Sequence, residues 1–214
     1  MKKTKILLVR HGFSVSNERG TFTGQLDEKL SAVGESQAKL LSAFVLENYS
    51  VDAVYSSPLS RAYETVQGVA NGIGQEIIFE PAFIEMSGGG WEGKTVEEIK
   101  VLFPETYSAW VHDIGTVSCN DGESGEDVML RAYPKLLEIA KKHVGETVVV
   151  GTHAGVIRAL QCKIRNWEAK KMNDVKWVTN ASVTEVEFDG KEFKEAKISI
   201  DSFLAGLKTE ITTF

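Results

Sequence analysis

Short apolar runs alternate with amphipathic segments along most of the chain, and this alternation predicts strands and helices in turn. Ile6–Val9 is a continuous apolar run, which is typical of a strand covered on both faces in a parallel sheet. Further strands are predicted at Val51–Ser57, Gln75–Glu80 and Glu146–Gly151. Glycine or proline lies close to several of these runs, which supports the assignment of strands.

The helical spacing of apolar positions predicts the helices between these strands. Ser31 is the expected N-cap of a helix whose apolar positions extend to Phe44. Pro58 is expected to be the first residue of a second helix, which runs to about Val69. A long helix is expected from about Ser124 to His143, and another over Val156–Lys163.

The C-terminal region has a different pattern, which completes the predicted fold. Ser182–Ile200 alternates around Asp189-Gly190, a strong hairpin signal. Strands that alternate with helices indicate an α/β fold. We therefore expect a three-layer sandwich, with helices on both faces of a mostly parallel central sheet and antiparallel strands added near the C-terminus. With 214 residues and 43% hydrophobic composition, residues 1–214 are expected to form a single domain.

Residues 86–123 form the least regular part of the pattern. They contain a glycine-rich segment and a short helical pattern around Val96–Phe103 that is expected to stop near Pro104. We expect this region to be a small irregular and helical insertion, a lid over the sheet edge that determines substrate specificity. The tryptophans are expected in the core or the lid, and not as platforms for substrate: Trp91, Trp110, Trp167 and Trp177.

Composition narrows the classes of function. The chain has 24 Lys+Arg against 30 Asp+Glu, and a net charge of −6 argues against a nucleic-acid partner while allowing a small basic pocket for one anion. Cys119 and Cys162 do not form a C-x-x-C pair, so they indicate neither a zinc site nor a redox site. The run Ile6–Val9 is too short for a signal peptide, and no run approaches a membrane helix. A cytoplasmic protein with no membrane partner is expected.

Basic side chains follow three of the predicted strands. Arg10 and His11 follow the first strand, Arg61 lies shortly after the second, and His153 follows Glu146–Gly151. Because ligands of such sheets bind beyond the carboxyl ends of the strands, we expect these side chains to meet at one edge. Guanidinium groups suit phosphate oxygens, and helix N-termini add N–H donors there. The pattern predicts a phosphate pocket.

This set of residues has the groups that phosphoryl transfer requires. Neighbouring positive charge keeps an imidazole neutral, and a neutral imidazole nitrogen is a competent nucleophile toward phosphorus. The arginines and the second histidine would stabilise charge on the phosphoryl oxygens. Glu85, just after the third strand, is the candidate general acid for the leaving alkoxide, and Glu92 is its competitor. Neither a metal nor another cofactor is expected.

Six segments, in order from residue 5 to about residue 160, match the pattern of a known family. "RHGFSVSN" resembles the R-H-G-x-[TS]-x-x-N signature of the histidine phosphatase superfamily, the phosphoglycerate mutase-like enzymes. The other matching segments are Gly24–Ala38, Tyr55–Thr65, Ile84–Gly93, Asp121–Asp127 and Val148–Arg158.

The resemblance implies a role for each of the candidate residues. It implies that His11 becomes phosphorylated, that His153 assists as the second catalytic histidine and that Glu85 is the proton donor. Ile84 stands where many phosphatases of the family carry arginine, so the substrate side of the pocket is expected to be unusual. By this resemblance the phosphate-binding residues are Arg10, Arg61, Asn17, Ser14 and His153.

Three interpretations of function follow. The preferred one is a metal-independent phosphomonoester hydrolase acting on a small phosphorylated metabolite. A mutase of the same chemistry is the first alternative, but between Gly90 and Gly125 the chain has no arginine, only Lys94 and Lys100 as cations, which favours hydrolysis. The second is a phosphoryl-binding module without catalysis, which is disfavoured because both histidines and the acid are present. The pattern leaves the substrate open, and it is compatible with a monomer or a homodimer.

Overall fold

The computed structural model describes residues 2–209, and its centre is a six-stranded sheet in the order β3-β2-β4-β1-β5-β6. Strands β1 to β4 pair in parallel, whereas β5 pairs antiparallel with both β1 and β6. The predicted α/β class, with antiparallel strands at the C-terminal edge, is confirmed. The strands are β1 Thr4–Arg10, β2 Ala53–Ser56, β3 Ile77–Phe79, β4 Thr147–Thr152, β5 Val183–Phe188 and β6 Phe193–Ile200.

Helices cover both faces of this sheet. Helices α2 and α3 pack on one face, and α6 and α7 pack on the other. None of the helices within residues 2–209 is long and apolar enough to cross a membrane. The helices are α1 Val15–Arg19, α2 Ala32–Asn48, α3 Ser60–Gly72, α4 Val96–Leu102, α5 Pro104–His112, α6 Gly125–Lys142 and α7 Ala154–Ile164.

Burial on both faces explains why the centre of β1, residues 6–9, is apolar. Leu7 and Val9 pack in the core cluster shared with α2 and α3, whereas Ile6 and Leu8 pack in the cluster shared with α6 and α7. All four side chains are fully buried. Because successive strand residues point to opposite faces, a strand covered on both sides has no position for a solvated polar residue until it ends.

One predicted helix start is wrong and one helix was not predicted, and both differences involve proline. Helix α3 begins at Ser60 with Leu59 as its N-cap, so Pro58 precedes the helix instead of opening it. Pro104 follows α4 as expected, but it is also the first residue of α5, which was not predicted. Proline fits both the first helical turn and the segment just before a helix, so its presence does not distinguish them.

The loop after β1 is packed directly on the N-terminus of α2. The hydroxyl of Ser31 accepts from the backbone N–H of Gly34 (3.2 Å) and donates to the carbonyl of Phe13 (3.0 Å), which confirms Ser31 as the N-cap. A Cβ at position 34 would overlap the Phe13 carbonyl oxygen, so this close approach requires glycine. The loop that carries His11 is therefore held against a long helix.

Candidate active site

Three of the four predicted corner residues, Arg10, His11 and Arg61, line one cavity beside the carboxyl ends of β1, β2 and β4, whereas His153 lies next to His11 but does not line it. The cavity has about 580 Å³ of empty space, its open mouth included. Five of the seven predicted site residues form part of its wall, and Ser14 and His153 do not. The lining residues are Arg10, His11, Asn17, Phe22, Thr23, Gly24, Arg61, Glu85, Met86, Trp110, Ile114, Ala154, Gly155 and Trp177.

His11 is held in an orientation that leaves one ring nitrogen free. Its Nδ1 lies 2.7 Å from the carbonyl oxygen of Gly12, and a carbonyl only accepts, so Nδ1 carries the proton and Nε2 keeps its lone pair. The Gly12 N–H donates to Thr65 Oγ1 (2.8 Å), which fixes the backbone. Burial, followed by the positive charges of Arg61 and Arg10, lowers the pKa of His11 well below 6.5. The ring is therefore neutral near pH 7.

His153 lies beside His11 as the N-cap residue of α7, with the ring centroids 5.3 Å apart. Its Nε2 is 2.8 Å from the Ser57 hydroxyl, whereas its Nδ1 is buried and has no hydrogen-bond partner. Burial and the charge of Arg61 lower the pKa of His153 well below 6.5. Ser57 was not among the residues that the sequence analysis assigned to the site, although it lies in the Tyr55–Thr65 segment.

Both arginines are buried and anchored to backbone carbonyls. Arg10 donates to Val178 O (2.5 Å), and Arg61 donates to Leu26 O and Gly24 O (both 2.7 Å). The Nε of each arginine is buried without a partner. Burial lowers the pKa of Arg10 and of Arg61 to about 10, so both remain charged near neutral pH. Two permanently charged groups with spare donors make this end of the cavity an anion site.

Asn17 and Ser14 have different positions relative to the cavity. Asn17 lines it, and its Oδ1 accepts from Ser14 N–H (3.1 Å) and from Asn180 Nδ2 (3.3 Å), which leaves its own Nδ2 as a donor. Ser14 is fully buried, does not line the cavity, and caps α1 by accepting from Asn17 N–H (3.2 Å). Ser14 therefore positions Asn17, and a contact between Ser14 and phosphate stays a prediction.

The structure separates the two candidate acids. Glu85 lines the cavity, where its Oε1 accepts from Met86 N–H (2.8 Å) and its Oε2 from Gly155 N–H (3.3 Å). Glu92 is not a lining residue, and its Oε1 accepts from the N–H groups of Gln25 and Gly88 (both 2.9 Å), which ties two loops together. This geometry favours Glu85 as the acid.

Arg131 and Asn180 were not singled out from the sequence, yet both support the site. Arg131 donates to the carbonyl of Glu85 (3.1 Å) and forms an ion pair with Glu123 (2.8 Å), which holds the acid-bearing segment against α6. Asn180 donates to the carbonyl of His11 (3.2 Å) as well as to Asn17. Both residues are distant in sequence from the groups they hold, so neither spacing nor motif identifies them.

The tryptophans pack in or against the core, as expected, but two of them also line the cavity. Trp91 and Trp110 are buried and Trp177 is partly buried, and the two lining residues are Trp110 and Trp177. Trp110 belongs to the unpredicted helix α5, and its ring packs 5.4 Å from that of Trp91 in a T-shaped arrangement. Trp110 and Trp177 therefore contribute an apolar wall to the cavity. This wall contrasts with the end of the cavity that holds the two charged arginines.

The buried histidines make folding stability depend on pH. In the folded protein the pKa of His11 and of His153 is lowered well below 6.5, chiefly by burial. Below about pH 6.5 the unfolded chain binds more protons, so the free energy of unfolding falls as the pH falls, by at most ~1.4 kcal/mol per pH unit for each histidine. Urea titrations in phosphate-free buffer measure this slope, and His11→Gln should reduce it. An identical slope in the variant would contradict the assignment.

Within residues 2–209, no group of three or more His, Cys, Asp or Glu side chains is placed to hold a metal ion. Two neutral imidazoles, two buried guanidinium groups and a carboxylate lie together at the carboxyl edge of the α/β sheet. This combination is that of an α/β phosphatase of the histidine type.

The comparisons with known proteins agree with this class. The model of the histidine phosphatase superfamily (branch 1) matches residues 6–201, and the chain belongs to this superfamily. The chain is 35% identical over 209 residues to phosphoserine phosphatase 1 of Hydrogenobacter thermophilus, covering 96% of this chain and 97% of the relative. It is 36% identical over 163 residues to a metal-independent phosphoserine phosphatase of Arabidopsis thaliana, covering 75% and 68% of the two chains.

Solved structures show the same fold. Bacillus stearothermophilus YhfR superposes with a TM-score of 0.88 at 29% identity, covering 94% of this chain and 99% of that one. A mycobacterial glucosyl-3-phosphoglycerate phosphatase in complex with VO3 has a TM-score of 0.84 at 26% identity, with 92% and 99% covered. The predicted family, the fold class and the phosphatase activity are confirmed.

Proposed function

We propose that this phosphatase hydrolyses phosphomonoesters of small metabolites, without a metal, through a phosphohistidine on Nε2 of His11. The observation that carries the proposal is the state of His11. Its Nδ1 is engaged by Gly12 O, its pKa is lowered by burial and by two arginines, and it lines the cavity beside them. A neutral nitrogen with a free lone pair next to an anion site is the arrangement that attack on phosphorus requires.

In the first step, Nε2 of His11 attacks phosphorus and the bond from phosphorus to the ester oxygen breaks. The electron pair goes to the leaving oxygen, which takes a proton from the Glu85 carboxyl. Arg10 and Arg61 donate to the phosphoryl oxygens as negative charge develops. The free Nδ2 of Asn17 and a proton on Nδ1 of His153, with Ser57 donating to Nε2, add two further donors.

In the second step, water attacks the phosphohistidine and the phosphorus–nitrogen bond breaks. Glu85, now a carboxylate, takes the proton from the water, and inorganic phosphate leaves while His11 returns to its neutral form. Phosphate that goes back to a second hydroxyl of the substrate would instead give a mutase. The lid cations Lys94 and Lys100 do not line the cavity, so hydrolysis is favoured.

The named substrates of the relatives support a small phosphorylated metabolite: phosphoserine for two of them and glucosyl-3-phosphoglycerate for a third. The apolar wall of this cavity does not select either of these esters. The cytoplasmic location, the single domain over residues 1–214 and the choice between a monomer and a homodimer stay predictions.

Phosphate release from a panel of phosphomonoesters, 3-phosphoglycerate included, tests this function when a chelator is present and His11→Ala is the control. Release that resists the chelator and vanishes in the variant is expected, together with acid-labile labelling of the wild type by a ³²P-ester. Isomerised 3-phosphoglycerate without phosphate release would favour the mutase. Bound phosphate with no turnover of any ester would favour the binding module.

Glu85→Gln should slow the hydrolysis of an ester more strongly when the leaving group of that ester needs a proton. For an alkyl phosphate we expect kcat/KM, which reports the steps through phosphorylation of His11, to fall about 10²–10³-fold. For p-nitrophenyl phosphate, whose phenolate leaves unprotonated, the fall should be about tenfold or less. The matched variant Glu92→Gln should lower both values by the same factor, since Glu92 joins two loops. A leaving-group dependence in Glu92→Gln instead would reverse the assignment of the acid.

A further inference from the structure

We propose that the preferred substrate has an uncharged, apolar leaving group with a flat or aromatic portion that packs on Trp177. The proposal rests on the hydrolase function above and concerns the half of the cavity that does not hold phosphate. The proposed substrate differs from the esters that the relatives' names mention, because serine and glycerate carry charged groups next to the phosphate.

The first observation is the distribution of charge. Among the described residues that line the cavity, the acidic and basic side chains other than His11 are Arg10, Arg61 and Glu85. All three belong to the phosphoryl chemistry. The carboxylate and ammonium groups of phosphoserine would therefore lose water in this cavity without gaining a dedicated partner of opposite charge. Removing a charge from water without a partner is costly, so a neutral leaving group is favoured.

The second observation is the apolar wall, which comes from separate parts of the chain. Phe22 belongs to the loop after α1, Met86 follows the acid, Trp110 and Ile114 lie at the end of the lid region, and Trp177 precedes β5. Phe22 and Trp110 pack edge to face, with ring centroids 6.1 Å apart. A wall of this kind gains affinity by covering apolar surface of a ligand.

The third observation is the way in which Trp177 is held. The guanidinium of Arg158 lies 4.1 Å from the centroid of the Trp177 ring, and Arg158 is 3% exposed. Its Nε donates to Val175 O (3.0 Å) and its Nη2 to Met172 O (2.8 Å), so the segment before Trp177 is also anchored. Since the ring is positioned before a ligand arrives, little ordering opposes binding on its remaining surface.

The test compares alkyl esters with similar leaving-group chemistry: 3-phenylpropyl phosphate, n-propyl phosphate, O-phosphoserine and 3-phosphoglycerate. We expect kcat/KM to be at least about tenfold higher for 3-phenylpropyl phosphate than for n-propyl phosphate, because stacking on one aromatic ring contributes a free energy of about that factor. The two charged esters should be poorer than n-propyl phosphate. Electron-withdrawing groups make serine and glycerate the better leaving groups, so intrinsic reactivity works against the expected order.

Variants of Trp177 show whether this ring carries the preference. Trp177→Ala should lower the ratio of kcat/KM for 3-phenylpropyl phosphate over n-propyl phosphate by about tenfold, and Trp177→Phe should retain most of it. Trp167→Ala is the matched control: Trp167 also lies over an arginine, Arg165, at 5.0 Å, but it does not line the cavity. The ratio should be unchanged in this control.

Each outcome bears on a distinct claim. A higher kcat/KM for O-phosphoserine than for 3-phenylpropyl phosphate would overturn the substrate class while leaving the hydrolase intact. An unchanged ratio in Trp177→Ala would remove the platform. If no ester releases phosphate, the proposed function itself fails. Two results together would establish the proposal. The kcat/KM values of the esters must follow the expected order, and the ratio of kcat/KM for 3-phenylpropyl phosphate over n-propyl phosphate must fall in Trp177→Ala but not in Trp167→Ala.

Discussion

His11→Ala is expected to lower kcat for every phosphomonoester by at least about 10⁴-fold, the loss that follows removal of a nucleophile from a catalytic unit. The cavity offers no replacement at the same place. His153 lies beside His11, but in the proposed mechanism its Nδ1 carries a proton and its Nε2 accepts from Ser57, so neither nitrogen has a free lone pair. The arginines remain in the variant, so we expect inorganic phosphate to bind it within about tenfold of its wild-type affinity. Steady-state kinetics and phosphate titration measure the two effects.

A matched histidine variant controls for loss of an imidazole in general. His112 is exposed at the end of α5, where its Nδ1 lies 2.7 Å from Ser108 O, and it does not line the cavity. We expect His112→Ala to keep kcat within about twofold of the wild type, as for most exposed substitutions. Activity of His11→Ala within tenfold of wild type, with the fold intact by circular dichroism, would remove the phosphohistidine mechanism.

Arg61→Lys is expected to have the second-largest effect, a loss of about 10²–10³-fold in kcat/KM. Lysine keeps the charge but cannot donate to two carbonyls and a phosphoryl group from one rigid fork. In the wild-type structure, Arg61 donates to Leu26 O and Gly24 O, and its Nε is buried without a partner. Loss of one donor aimed at developing charge typically costs about 3–4 kcal/mol, which gives the expected factor.

Two further measurements separate catalysis from folding in this variant. The inhibition constant of inorganic phosphate should rise in Arg61→Lys, because the same fork binds the product. Arg165→Lys is the matched control, since Arg165 pairs with Glu195 at 2.9 Å, away from the cavity, and its kcat/KM should change by about twofold or less. Full activity in Arg61→Lys would show that Arg61 only anchors the loop that carries Gly24.

Much of the fold was predictable because local pattern and tertiary environment agree. The run Ile6–Val9 is apolar because both faces of β1 are covered, and the same pattern identifies β4. Ser31 is an N-cap in the structure, as its hydroxyl and position predict, and the long helix α6 begins just after Ser124, close to its expected start. The hairpin at Asp189-Gly190 is also present, although its loop spans residues 189–192, longer than the dipeptide alone indicates.

Other features depended on contacts that local pattern does not encode. Helix α5 begins at Pro104, which also follows the end of α4. The same proline is consistent with the end of one helix and with the start of the next, so the sequence did not reveal the second helix. Trp110 lies at the cavity with its ring packed against those of Phe22 and Trp91, which belong to other segments of the chain. The choice between Glu85 and Glu92 likewise depends on which carboxylate reaches the cavity and which one ties loops together.

The sequence by itself determined the class of the fold and the residues of the phosphate end. The rule that parallel strands present their carboxyl ends at one edge brings Arg10, His11 and Arg61 together without any knowledge of distances. The tertiary structure decided which ring nitrogen of His11 is free, and that Ser14 positions Asn17. It also decided the apolar character of the substrate side. These properties depend on hydrogen bonds and packing between residues far apart in the chain, and spacing along the chain does not predict such contacts.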